Sequence, residues 1–182
     1  MTGAQLTALA VGAVLVFWMV GAYNRLVALR NAIGVAWSQV DDQLQRRRVA
    51  LEPMAAALRP ELPDDATAPD ALLGALLQVQ AAADAVRTRP VSAVHVAALG
   101  TAEQVLTTGL ARLLALLEHH PLLRDGMPEV AQGLQALQDI EPRLHFARQL
   151  FNDAAQAYNR AARQFPTRLL AHLFGFGTAG RL

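Results

Sequence analysis

From Met1 to Asn24 no side chain carries a charge, and the stretch from Ala4 to Tyr23 is almost wholly apolar. About 20 such residues, at a rise of ~1.5 Å each, cover the ~30 Å hydrocarbon core of a bilayer. Residues 4–24 are therefore expected to form a transmembrane helix, with Phe17 and Trp18 among the side chains that meet lipid. At Arg25 the chain changes character, yet its helical pattern does not break. No proline- or glycine-rich hinge follows Tyr23, so span and following domain are expected to share one continuous helix.

A cleaved signal peptide is the competing reading. Such a peptide has a basic start, a short apolar core and a small-residue cleavage site. Here Met1-Thr2-Gly3 offers no basic side chain, the apolar run is long, and Val20-Gly21-Ala22 is only a passable cleavage site. A retained anchor is expected. Arg25 and Arg30 lie just beyond the span, with Arg46, Arg47 and Arg48 further on. The positive-inside rule then places the C-terminal domain in the cytoplasm.

Hydrophobic residues make up 53% of the 182 but aromatic ones only 5%, so the excess is Ala, Leu and Val. That composition suits helices packing on helices. A net charge of +1 gives no reason to expect nucleic acid, which calls for a concentrated basic face. With no cysteine, disulfides, thiolate metal sites and cysteine nucleophiles are excluded.

Beyond Arg25, Leu26, Ile33, Val40 and Met54 fall on one row, and Trp37, Leu44, Leu51 and Leu58 on the next. This three-and-four spacing marks the seam of a bundle or coiled coil. A first helix is expected to reach about Arg59, with a kink or loosened turn at Pro53. Pro60–Asp70 reads as a connection. A second helix is expected over 69–87, with Leu72, Leu73, Leu76, Leu77, Val79 and Val86 as its apolar face. A third is expected over 92–118, through Val96, Leu99, Val105, Leu106, Leu110, Leu113, Leu114 and Leu117. His119–Pro128 reads as a turn. A fourth helix, 129–165, carries Leu137, Leu144, Phe151, Tyr158 and Phe165 at seven-residue intervals, with a kink or short break expected near Glu141 because of Pro142.

The pattern predicts an all-α fold: the transmembrane helix continuous with an antiparallel up-and-down four-helix bundle over 25–165. An even helix count returns the tail, 166–182, towards the bilayer. Leu173, Phe174 and Phe176 are its candidate membrane contacts. The alternatives are that it packs on the base of the bundle or is disordered.

Two segments resemble the LemA family of bacterial membrane proteins. In Tyr23–Pro53 the likeness rests on Tyr23-Asn24, Leu26-Val27, Leu29-Arg30, Ala36-Trp37-Ser38, Asp41, Gln43-Leu44, Arg46-Arg47 and Pro53. In Glu141–Phe176 it rests on Phe146-Ala147-Arg148, Phe151-Asn152-Asp153-Ala154, Tyr158-Asn159, Phe165-Pro166 and Leu173-Phe174-Gly175-Phe176. Met54 and Pro142 stand where the family usually has Asn. Between Arg59 and Met127 the likeness is only helical. The resemblance implies an N-terminal anchor in the bacterial inner membrane and a helical bundle, with no established enzymatic activity.

Candidate chemistry is sparse. His119 and His120 are adjacent, so in a helix they point apart, and at a helix C-terminus they serve its free carbonyls. His95, His145 and His172 have no partner at metal-pair spacing, and no HExxH motif occurs. Ser38 and Ser92 lack a nucleophile motif. Asp41 and Asp42 have Arg46 near one turn on, which suits ion pairing on the helix surface. No cofactor or metal is expected.

Asp41, Arg47, Glu141, Arg148, Asn152 and Asn159 lie on or beside the apolar stripes of the first and fourth helices. They are expected either to fix register within the bundle or to pair protomers. Trp37, Phe151 and Tyr158 complete the candidate structural or assembly set. The leading expectation is a non-enzymatic scaffold that contacts the lipid bilayer, forms a homo-oligomer and organises or curves the membrane. The alternative is a membrane-tethered adaptor that docks another protein through its helical bundle, with other membrane proteins among the candidate partners.

Overall fold

Helix α1 runs unbroken from Gly3 to Glu61, so the uncharged segment and the helix beyond it are one element. In this computed structural model the described residues are 3–62, 67–164, 167–168, 174 and 176–182. Four further helices follow: α2 (Thr67–Thr88), α3 (Ala93–His119), α4 (Pro121–Gly126) and α5 (Pro128–Arg163). The chain is all-helical. Among the described residues the only β feature is a single antiparallel bridge between Ser92 and Ala179.

The apolar rows explain the packing. All eight α1 positions, from Leu26 to Leu58, are buried. They meet Leu137, Leu144, Phe151 and Tyr158 of α5, Leu72, Leu76 and Val86 of α2, and the Val96–Leu117 stripe of α3 in one hydrophobic cluster. Two expected core positions are corrected. Leu77 and Val105 are exposed, because each lies about 100° around its helix from a buried neighbour, Leu76 and Leu106. Phe165 lies outside the described residues.

Helix α1 packs along α5 and α2, and α2 packs along α3. Cross-helix contacts show direction. Asp41 meets Arg87 while Arg59 meets Asp70, so α1 and α2 are antiparallel. Trp37 meets Phe151 and Arg47 meets Glu141, so α1 and α5 are antiparallel too. At Gly133 these two helices come close together: an added Cβ would lie 3.0 Å from Met54 Sδ and 3.2 Å from the Ala50 carbonyl oxygen.

Helix α1 continues through Pro53 and α5 through Pro142, so of the kink or short break expected near Glu141 the break does not occur. An interior proline costs ~3 kcal/mol. Buried Leu51, Met54 and Ala55 around the first, and Ile140 and Leu144 around the second, hold the helix in place against that cost. The expected turn over 119–128 contains the short helix α4. Pro121 starts α4 and Pro128 starts α5, positions where a missing N–H is no loss.

The first buried side chain of α1 is Leu26. Before it, Leu9, Val14, Leu15 and Phe17 are exposed, with Phe17 at 79%. Among the described residues α1 alone is long and apolar enough to cross a bilayer.

Candidate functional site

The polar residues of the α1–α5 seam form a charged layer inside the apolar stack. Arg47, only 4% exposed, places Nε 2.9 Å from Glu141 Oε1. The approach is a charge contact without hydrogen-bond alignment, since neither atom has a hydrogen-bond partner. Arg148 of α5 donates to Glu103 of α3. Burial pulls the Arg47 guanidinium below its ordinary value, and the charges of Glu141 and Glu103 oppose that fall. Two cations thus balance two anions across three helices. Arginine keeps its proton even here, so the layer acts as a fixed pattern of attraction. Such a pattern sets register. One helical level away, Trp37 and Phe151 pack edge to face at 6.0 Å.

Asp41 faces α2. Its carboxylate takes three bonds from Arg87, one of 3.1 Å from Nε and two of 2.8 and 2.9 Å from Nη2, and Asp84 takes a fourth from Nη1 at 2.6 Å. The hydrogen bond to Asp41 is the chief reason the Arg87 guanidinium sits above its ordinary value. Arg46 pairs with Asp42 instead, one turn apart at 2.9 Å.

Asn152 and Asn159 both bond the backbone of the C-terminal tail. Asn152 donates through Nδ2 to the Leu182 oxygen and accepts from the Leu182 N–H, both at 2.8 Å. Asn159 treats Ala179 in the same way, at 3.0 and 2.8 Å. Each carboxamide thus mimics the edge of a β-strand. The spacing fits: seven helical residues rise ~10.5 Å, and three extended residues cover ~10 Å. The Tyr158 hydroxyl donates to the Gly177 carbonyl oxygen at 3.1 Å. Burial raises the Tyr158 phenol above its usual range, with the Arg30 charge opposing.

On its other side the tail lies against the start of α3. The Gly180 N–H donates to the Val91 carbonyl oxygen at 3.3 Å. A Cβ at Gly180 would sit 2.7 Å from Val96 Cβ and 2.9 Å from Ala93 Cα, so only glycine allows this approach. Phe176 is half-buried against the core, and both it and Phe174 make edge contacts with Tyr23, at 5.9 and 5.4 Å. Trp18 is exposed, at 39%, on the apolar part of α1. Leu173 lies outside the described residues, as does His172.

Sequence reasoning missed Glu103, Arg87, Gly180 and the N-cap Ser92, whose Oγ accepts from the His95 N–H. The available signal for the tail contacts was the pair of asparagines seven residues apart, facing a glycine-rich C-terminus. The His119 ring nitrogen lies 2.9 Å from the Ala115 carbonyl oxygen at the end of α3. Among the described residues no three His, Asp or Glu side chains gather as a metal-holding group.

A family model for LemA matches residues 36–181. The chain belongs to the LemA family. The LemA match starts at Ala36, so the Tyr23–Arg30 pieces of the resemblance lie ahead of it. It includes α2 and α3, where the motifs were silent, and it reaches through the tail contacts at Ala179. Comparison with curated proteins gave no match.

Proposed function

We propose that this LemA-family protein is a non-enzymatic, membrane-anchored four-helix bundle, up-and-down in topology. In this reading it self-assembles on the cytoplasmic membrane of a bacterium and there organises or curves the bilayer. The observation that carries the reading is the unbroken α1: one helix links a bare apolar segment to a packed body. Copies inserted side by side then share a common orientation, with Arg25 and Arg30 holding the body on the cytoplasmic side. The outer α1–α5 face supplies the contact. Val35, Val49 and Phe146 are exposed there, beside open grooves along the helix pair.

The cysteine-free chain makes the test direct. Val49→Cys, reconstituted in lipid and oxidised, should give dimers, and pairs of introduced cysteines should give ladders. Monomers alone at every protein-to-lipid ratio would overturn self-assembly.

The adaptor reading draws on Phe146, 59% exposed next to Pro142 and Gln39. A defined complex with another membrane protein, lost on Phe146→Ser while homo-oligomers are absent, would favour it.

A further inference from the structure

The end of the body nearest the apolar segment is basic. The α1–α5 register set by Trp37–Phe151 and Arg47–Glu141 puts Tyr158 level with Arg30 and Arg163 level with Arg25. Arg160 lies between those levels on α5. None of Arg25, Arg30, Arg89, Arg160 or Arg163 has a carboxylate partner among the described residues. At the opposite end the balance reverses, with Glu52, Glu61, Glu118 and Glu129.

Within this basic end, Arg30 and Arg89 line one cleft of about 270 Å³. Ser92 and Thr178 add two hydroxyls, and Phe176 forms an apolar wall. Tyr158, whose hydroxyl donates to the Gly177 carbonyl oxygen, lines the same cleft. Phe176 in turn touches Tyr23, in the last turn of the apolar segment.

We propose that this cleft binds the phosphate of an anionic lipid headgroup, held between the Arg30 and Arg89 guanidiniums. The proposal rests on the reading of α1 as a membrane anchor. Depth supports the choice of a lipid over a free anion. Arg30 lies ~10 Å along the helix from Tyr23, and side chains on a helix lean towards its N-terminus, here towards the bilayer. The headgroup layer is ~5–7 Å thick on each side, so the guanidinium returns to phosphate level. Two guanidiniums match phosphate oxygens in pairs. The Phe176–Tyr23 wall continues from the cleft to the apolar segment, where acyl chains would lie.

The full chain in detergent, offered phosphatidylglycerol and phosphatidylcholine together, tests the site by native mass spectrometry. Wild type should retain one phosphatidylglycerol, about tenfold over phosphatidylcholine, whose choline ammonium is repelled by the two guanidiniums while its phosphate offers the same oxygens. Arg30→Gln/Arg89→Gln should reduce that preference to within about twofold, with unchanged helical circular dichroism. Arg25→Gln/Arg163→Gln removes the same charge outside the cleft and should keep most of it. Equal loss in both double variants, or no preference in wild type, would overturn the site. Displacement of the lipid by millimolar inorganic phosphate would overturn the lipid assignment in favour of a free anion. Flotation with pure phosphatidylcholine vesicles reads the anchor separately. Failure to float removes the anchor and the site together, whereas flotation without anionic preference removes the site alone.

Discussion

Asn152 and Leu182 exchange two hydrogen bonds, each 2.8 Å long, through a side-chain amide that copies a backbone edge. With Asn159 and Ala179 repeating the arrangement, the C-terminal residues are fixed to α5 by four bonds. Each bond contributes about 1 kcal/mol net. Asn152→Ala/Asn159→Ala should therefore free the tail at a cost on the order of 3–4 kcal/mol to the clasp itself. Hydrogen exchange at the Ala179 and Leu182 amides should rise at least about tenfold. The α1–α5 core should keep its protection.

Two glycines separate rigid from compliant close contacts. A Cβ at Gly180 meets Val96 Cβ and the Ala93 backbone, neither of which can yield cheaply. Gly180→Ala should displace the tail, with a cost of about 1–3 kcal/mol. At Gly133 the contacts are less severe: Met54 Sδ at 3.0 Å can move, and Met54 Cβ at 3.1 Å and the Ala50 carbonyl oxygen at 3.2 Å need to yield by a few tenths of an ångström. There the strain is offset by the ~1 kcal/mol that alanine gains over glycine in a helix. Thermal unfolding in detergent should show Gly133→Ala near wild type, and proteolysis of the tail should single out Gly180→Ala.

Alkaline pH should loosen the clasp through Tyr158. Burial raises its phenol in the folded state, while in the unfolded chain it titrates near ~10. Below that pH both states hold the proton and the stabilisation is complete. Above it the unfolded state releases its proton first, so stability falls as pH rises, until the folded phenol ionises too and the bond to Gly177 is lost. Tyr158→Phe should cost about 1 kcal/mol at neutral pH. Its deficit against wild type, followed by thermal unfolding, should shrink above pH ~10.

The two anions of the charged layer should differ in weight. Glu103 has a side chain 9% exposed and Glu141 one 45% exposed. Solvent screens the second more strongly. Glu103→Gln should cost about 2–3 kcal/mol and Glu141→Gln about 1 or less. A double-mutant cycle between Arg47→Met and Glu141→Gln should return a coupling of about 0.5–1 kcal/mol. Chemical denaturation of the four proteins measures it.

The helices were legible because their apolar rows repeat: Leu26 to Leu58 and Leu137 to Tyr158 are buried as the spacing predicts. Leu77 and Val105 escaped that logic, since composition does not say which of two adjacent apolar residues turns outward. Pro53 read locally as a kink or loosened turn and Pro142 as a kink or short break, but packed neighbours keep both helices continuous. The clasp was hidden for a different reason. It joins helix side chains to an irregular backbone, so it has no period to detect. Glu103, an acid in the middle of α3, becomes meaningful only when Arg148 is brought beside it.

Anchored as proposed, the unbroken α1 would also act as a lever. From Tyr23 to Pro53 it extends ~45 Å. A bilayer that thickens or thins retilts a spanning helix to match. For each ~10° of tilt, the level of Pro53 sweeps sideways by about 8 Å, by the length of that arm. A thickness change of a few ångström at the fulcrum thus becomes a larger stroke far from the lipid.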